Sequence, residues 1–352
     1  MPGTDHRAPE GLESTSADTR SGGQEGEAGE QEAEEQEGKE RPGLRIETVA
    51  FESHGDRCEA DLYLPTVGEA PWPVVVMGHV FGAERTWGLA PVAERFARAG
   101  MAALAFDYRH LGGSDGQPRR LIDPERQLQD WRAALEYVES LEAVEGDRIA
   151  LWGTSFSGGH VLEVARRADG AAEAQRATIR AVVSQVPCVD GRATVAHQTR
   201  DRGVRSRIGM LGRAVADRVG AVFGLDPIEV PVVSEPGDGG LVDSPGAMAG
   251  FGALVPDGVD LVNRSPARIV LDLPFYRPGR RAEEIDVPVH VVVAAEDRLL
   301  PAGPTEAMLE RMPDASVHRV SAGHFDVLRA PWIDPVVDRQ VAVLSAALGV
   351  DG

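Results

Sequence analysis

Serine, aspartate and histidine occur in this 352-residue chain in an order and setting that would suit acyl transfer through a serine. A serine hydroxyl is a weak nucleophile until a base takes its proton and an acid orients that base. Ser155 lies in the stretch Ile149-Ala150-Leu151-Trp152-Gly153-Thr154-Ser155-Phe156-Ser157-Gly158-Gly159-His160. Ile149 to Trp152 is a short apolar run of the kind that forms a covered parallel strand. From Val161 the pattern turns helical, with Val161, Leu162, Val164 and Ala165 apolar. A serine at the tip of a sharp strand-to-helix turn is a nucleophile elbow, and the residues two before and two after it must be small. Gly153 and Ser157 fill those places, with Ser157 standing where glycine is usual. A second frame makes Ser157 the nucleophile, flanked by Ser155 and Gly159. It fits less well, because the strand ends at Trp152 and Gly153 opens the turn. A Gly/Ser-rich turn can also hold phosphate on its amides, so the rest of the chain decides.

The acid should follow the nucleophile and the histidine should come last. Val289 to Ala295 is an apolar run that leads into Glu296-Asp297-Arg298. An acid at the end of a buried strand lies where the carboxyl edge of a parallel sheet opens to ligands. Ser321-Ala322-Gly323-His324-Phe325-Asp326 follows the last short strand and brings His324 to the same edge. Ser155, Asp297 and His324 are therefore the expected triad. Glu296 is the rival acid, and His290 and His318 are rival bases that fall inside strands. An oxyanion needs two amide donors. One is expected from Phe156, after the nucleophile, and the other from Phe81 in the loop Gly78-His79-Val80-Phe81-Gly82. Val80 stands where a glycine is usual, so the backbone there either needs no positive φ or distorts the hole. His79 reads as a buried brace for that loop.

These residues need a sheet to hold them. Ile46 to Phe51 and Cys58 to Leu64 alternate like a hairpin turned at His54-Gly55-Asp56. Val74 to Met77, Met101 to Phe106, Ile179 to Val186 and Val287 to Ala295 read as buried strands. Helices are expected over Leu89 to Ala99, from Asp123-Pro124 onward, over Thr305 to Met312 and over Pro335 to Leu348. Strand and helix alternate, which predicts a mostly parallel sheet covered by helices on both faces. The expected core runs over 44–187 and 285–352. Residues 188–284 break the rhythm with scattered helix signals and a Pro/Gly-rich stretch from Pro231 to Gly252, and predict an inserted cap or lid.

Hydrophobic residues make up 42% of the chain and charged ones 26%, the balance of a globular enzyme. The formal net charge of −20 argues against nucleic acid as a partner. Much of that charge is local, since residues 1–40 hold twelve Asp or Glu against three Lys or Arg. Residues 1–43 have almost no apolar content and predict a disordered acidic tail. Lys39 is the only lysine, which excludes lysine chemistry. Two cysteines, Cys58 and Cys188, suit a reducing compartment. No signal peptide or run of eighteen apolar residues is visible, so the expectation is a cytoplasmic protein with no membrane partner.

From about Leu44 onward the chain resembles bacterial α/β-hydrolases of the dienelactone-hydrolase-like and X-Pro dipeptidyl-peptidase-like group. The resemblance rests on the elbow, Asp107-Tyr108-Arg109-His110-Leu111-Gly112-Gly113-Ser114-Asp115-Gly116, Gln129-Asp130-Trp131-Arg132 and Gly323-His324-Phe325-Asp326. Fungal polyketide transferases and thiohydrolases are relatives of the same group. The resemblance implies the α/β-hydrolase fold and a serine hydrolase or acyltransferase using Ser155, Asp297 and His324. True dienelactone hydrolases carry cysteine where Ser155 stands. Haloalkane dehalogenases and most epoxide hydrolases carry aspartate, so those activities are disfavoured. The loop from Asp107 to Asp115 reads as scaffold, with a pocket-lining role open for His110. The expected activity is cleavage of a carboxyl ester or thioester of a small acyl substrate through an acyl-enzyme on Ser155, with neither metal nor cofactor. Transfer of the acyl group to another acceptor, or a non-hydrolytic cyclase or binding protein, are the alternatives. Oligomeric state is not legible.

Overall fold

The computed structural model describes residues 39–168 and 179–350. Among them, the central sheet has nine strands: β1 (Lys39–Arg41), β2 (Leu44–Ser53), β3 (Asp56–Pro65), β4 (Trp72–Gly78), β5 (Ala102–Phe106), β6 (Val144–Thr154), β7 (Ile179–Gln185), β10 (Val289–Ala294) and β11 (Ser316–Val320). Their spatial order is β1-β2-β3-β5-β4-β6-β7-β10-β11. The first three strands pair antiparallel, and β3 pairs antiparallel with β5. Every later pair is parallel. The β2–β3 hairpin turns on His54 and Gly55, both with positive φ (51° and 87°), a backbone twist that matches the flanking strands.

The strand period of two sorts side chains onto the two faces. On one face Val75, Met77, Ala103, Ala150 and Trp152 pack with Val92 and Phe96 of α1 (Ala90–Arg98) and with Val337 and Leu344 of the closing helix Ile333–Leu348. On the other, Val74, Val76, Leu104, Ile149 and Leu151 meet Leu128, Trp131 and Leu135 of α2 (Pro124–Glu139) and Val161 and Leu162 of α3 (Phe156–Ala168). Asp123 caps α2 by accepting from the amides of Glu125 and Arg126, as the Asp-Pro start predicts. Burial on both faces is why these strands read as continuous apolar runs.

The expected acidic tail does not run to residue 43. Lys39–Arg41 already forms β1, in register with Leu44–Ile46. Backbone pairing and polar ties hold it rather than apolar burial: Arg41 pairs with Glu94, and Arg98 Nε donates to the Pro42 carbonyl at 3.3 Å. The rest of that tail, residues 1–38, lies outside the described residues.

Between β7 and β10 the chain leaves the sheet. It forms α4 (Gly191–Gln198), α5 (Val204–Val222), the short strands β8 (Glu229–Val230) and β9 (Ser265–Pro266), α6 (Ala247–Gly252) and α7 (Ile269–Asp272). The stretch from Pro231 to Gly252 is ordered by its own contacts. Val233 bridges Val242, and Ser234 Oγ accepts from the Gly240 amide at 2.9 Å.

Candidate active site

Ser155 follows β6 directly and has φ +59°, a left-handed value costly for serine. Three backbone bonds hold it there. Its amide donates to the Gln185 carbonyl at 2.8 Å, and its carbonyl accepts from Cys188 at 2.9 Å and Gly159 at 3.3 Å. The glycines around it are required by close approach. A Cβ on Gly153 would stand 2.1 Å from the Ser157 carbonyl oxygen, and one on Gly159 2.4 Å from that of Cys188.

His324 Nε2 lies 2.8 Å from Ser155 Oγ, and His324 Nδ1 lies 2.6 Å from Asp297 Oδ2. These three side chains come from the ends of β6, β10 and β11, on one edge of the sheet. Asp297 Oδ1 accepts from the amides of Leu299 (2.8 Å) and Leu300 (3.0 Å), which fixes the carboxylate. Burial opposes its charge, but His324 and those two amides outweigh burial and hold the carboxyl below the usual range. Asp326 clamps the histidine loop, its Oδ2 accepting from the Gly323 amide at 2.9 Å. The rival residues lie elsewhere. Glu296 is exposed, with its amide on the Ala322 carbonyl. His290 Nδ1 meets Ser316 Oγ at 3.0 Å, and the His290 and His318 rings face each other at 6.3 Å within the β10–β11 pair.

Phe156 opens α3, where the first amides have no partner within the helix. Its ring meets that of Phe81 edge to face at 5.0 Å, and both residues line the same pocket as Ser155. Val80 does not have positive φ. That conformation falls on Gly82 (+68°), where a Cβ would stand 2.9 Å from Val232 Cγ1. Glycine is thus needed at 82, not at 80.

Ser157 is buried and tied away from the pocket. Trp131 Nε1 donates to the Tyr108 hydroxyl (2.9 Å), Tyr108 to Ser157 Oγ (2.5 Å), and Ser157 to the His79 carbonyl (2.5 Å). The hydroxyl that replaces the usual glycine therefore laces the elbow to the Phe81 loop. Gly78 must be glycine beside it, because a Cβ would stand 2.6 Å from Trp131 and Tyr108. His79 is buried in the same loop with Nδ1 3.0 Å from the Val80 carbonyl, and burial lowers its pKa.

The Asp107 loop is a polar scaffold. Asp107 accepts from the amides of Arg85 (2.6 Å) and Gly113 (3.0 Å), and Arg85 also reaches Glu59 at 2.7 Å. Asp130 binds Arg109 and Ser53 below it. The pocket-lining role left open for His110 is not seen. Its Nε2 turns to Arg126 at 3.2 Å, and it is absent from the pocket wall. Sequence reasoning missed His160. It is fully buried on α3, between the Tyr276 hydroxyl at 2.6 Å and Gln127 Oε1 at 2.9 Å. Its place one turn after the elbow was the available signal, but its partners are distant in sequence.

The serine and histidine open into a narrow pocket with a cavity volume of about 100 Å³. Phe81, Phe156, Leu299 and Phe325 form its floor. Val195, Met210, Val232, Val233, Ile269 and Leu273 form walls from the segment between β7 and β10. Thr194, Gln198, Thr199 and Arg202 are polar exceptions, and Arg202 Nε is already paired with Asp243 at 2.8 Å. Among the described residues, no group of three or more His, Cys, Asp or Glu could hold a metal ion. None of the described helices is long and apolar enough to cross a membrane.

The X-Pro dipeptidyl-peptidase (S15) family matches residues 54–212. The thiohydrolase aneE of Aspergillus aculeatus is 30% identical over 185 residues, 52% of this chain and 54% of that protein. In fold, the chain is similar to the crystal structure of a hypothetical protein from Pseudomonas aeruginosa, with a TM-score of 0.73 at 21% identity, covering 87% of this chain and 95% of that one. A complex of DcsB with its substrate analogue gives 0.70 at 21% identity, covering 86% and 99%. The quorum-quenching protein AidA of Acinetobacter baumannii is 36% identical over 302 residues, 86% of this chain and 95% of that protein. Agreement of that extent, on this sheet, means that the chain belongs to the α/β-hydrolase family that includes AidA.

Proposed function

We propose that the chain is a serine hydrolase that cleaves a carboxyl ester or thioester with an apolar acyl part. Ser155 attacks the acyl carbon, and His324 takes its proton and passes it to the leaving alcohol or thiol. Asp297 keeps the imidazole in the reactive tautomer and stabilises its charged form. The amides of Phe81 and Phe156 receive the oxyanion, and water then releases the acyl group from Ser155. The observation that carries this reading is the Ser155–His324–Asp297 hydrogen-bond chain opening into an apolar pocket. Its test is labelling with a fluorophosphonate probe and mapping of the adduct. Modification of Ser155, absent from Ser155→Ala, is expected. Modification elsewhere, or none, would sink the reading.

Acyl transfer is the second reading. An apolar wall keeps water from an acyl-enzyme, and relatives carry the names thiohydrolase and acyltransferase. Product analysis with and without an alcohol or amine acceptor separates the two.

A further inference from the structure

The helix α5 buries only a narrow strip, on which Met210, Ala214 and Asp217 face the protein. Asp217 locks it down by accepting from Arg268 Nε at 2.7 Å and from the amides of Ile228 (2.9 Å) and Arg268 (2.8 Å). The opposite side is also apolar. Val204, Ile208, Leu211, Val215, Val219 and Val222 recur every three or four residues and are between 46 and 78% exposed. Phe223 and Leu225 prolong the stripe past the helix end. A helix of 19 residues makes this stripe about 28 Å long. Singly exposed apolar residues need no explanation, but a continuous stripe marks an interaction surface.

We propose that this stripe is the contact through which two copies of the chain pair about a twofold axis, with their α5 helices antiparallel. Area supports a second copy. At roughly 60–120 Å² of apolar surface per fully exposed aliphatic side chain, the stripe and its extension offer about 300–600 Å² per copy. An interface somewhat over half apolar would then bury about 1,000–2,000 Å² in total, the range of stable complexes. Charge selects the antiparallel arrangement. Arg205 and Arg207 stand exposed in the first two turns, at the positive end of the helix dipole, and the first turn holds no acid. Asp226 is exposed just past the negative end. Each end is therefore unfavourable to itself and complementary to the other. Antiparallel pairing sets the arginines of one copy beside the carbonyl end and Asp226 of its partner, and parallel pairing sets like ends together. The stripe is built of valine, isoleucine and leucine, with no tryptophan or tyrosine of the kind that anchors a helix at a lipid surface. Met210 faces the pocket from the opposite side of α5, so pairing would also steady one pocket wall.

Sedimentation velocity on the full chain tests the proposal. A dimer at micromolar concentration is expected. Leu211→Asp and Val215→Asp each place a charge in the apolar contact, and should raise the dissociation constant about 100-fold or more with an unchanged circular dichroism spectrum. Cys58 and Cys188 are buried, which leaves engineered thiols to report geometry. A mixture of Val204→Cys and Val222→Cys should form a mixed disulfide dimer under mild oxidation, and Val204→Cys alone should not cross-link to itself. A monomer at about 0.1 mM overturns the proposal, as does a dimer that survives both aspartate substitutions. Self-cross-linking of Val204→Cys overturns the antiparallel arrangement. A monomer that sediments with phosphatidylglycerol vesicles, and loses this with Leu211→Asp, assigns the stripe to a membrane instead.

Discussion

The core and the segment between β7 and β10 face the same pocket and are built in opposite ways. The core reaches it with strand ends. Ser155 and Asp297 stand just beyond strands whose ends are buried on both faces, and His324 stands beyond the half-exposed edge strand β11. The segment reaches it with one long helix, α5, and with short helices, two-residue strands and loops, and supplies most of the apolar wall. Strand ends fix the groups proposed to react, and a wall built outside the sheet can change without moving them. Chemistry should therefore fail on single core substitutions, and selectivity should respond to the segment.

The largest expected effect is at the elbow. Ser155→Ala should lower kcat on the order of 10⁶-fold. Ser157→Ala should keep turnover within about tenfold yet lower the melting temperature, because it leaves the Tyr108 hydroxyl proton without its acceptor and the His79 carbonyl without its donor, at a cost of about 1–3 kcal/mol. Loss of turnover only in Ser157→Ala would reverse the assignment. The acid comes next. Asp297→Asn should reduce kcat by roughly 10⁴-fold, because it favours the wrong tautomer of His324, and Glu296→Gln should change little. Essential Glu296 with dispensable Asp297 would break the core half of the comparison. Wall substitutions should act on selectivity. Leu273→Trp narrows the pocket and should cut kcat/KM for long acyl chains about 10–100-fold relative to acetyl. Equal losses for long and short chains would show that the segment does more than select.

The smallest effect concerns acid stability and falls on the core alone. Burial pushes the His160 imidazole down to about 3, and those of His110 and His290 to about 4. Unfolding returns each toward the ordinary value near 6.5. The unfolded chain then binds protons that the folded chain refuses, so stability rises with pH between about 4 and about 6.5 and is lost on acidification through that window. Thermal melts across this range should show the slope, and His290→Asn should flatten it. A flat wild-type profile would contradict the burial of these rings.

Legibility in the sequence follows the same divide. The strands from Val74, Met101, Ile149, Ile179 and Val287 were readable because double burial leaves continuous apolar runs, and helices between them start and stop on Asp-Pro and glycine. The order Ser155, Asp297, His324 was readable because strand ends bring distant residues to one edge. Asp326 and Ser157 were readable as letters but not as braces, since their partners are fixed by loop geometry. The helix α5 escaped because it is apolar on two faces and carries Gly209, Gly212 and Gly220, which blur its period and lower its propensity. The β1 strand escaped because its three residues, Lys39 to Arg41, are all charged and exposed.

The Val80 carbonyl accepts two hydrogen bonds, from the Ala83 amide at 3.1 Å and from His79 Nδ1 at 3.0 Å. That oxygen shares its peptide group with the amide nitrogen of Phe81. Hydrogen bonds at a carbonyl draw electron density through the conjugated unit, and the N–H at the other end becomes more acidic; chains of such bonds reinforce one another by about 10–30% each. A histidine that never touches the acyl group would then act on it through resonance, by sharpening the donor assigned to the oxyanion from behind.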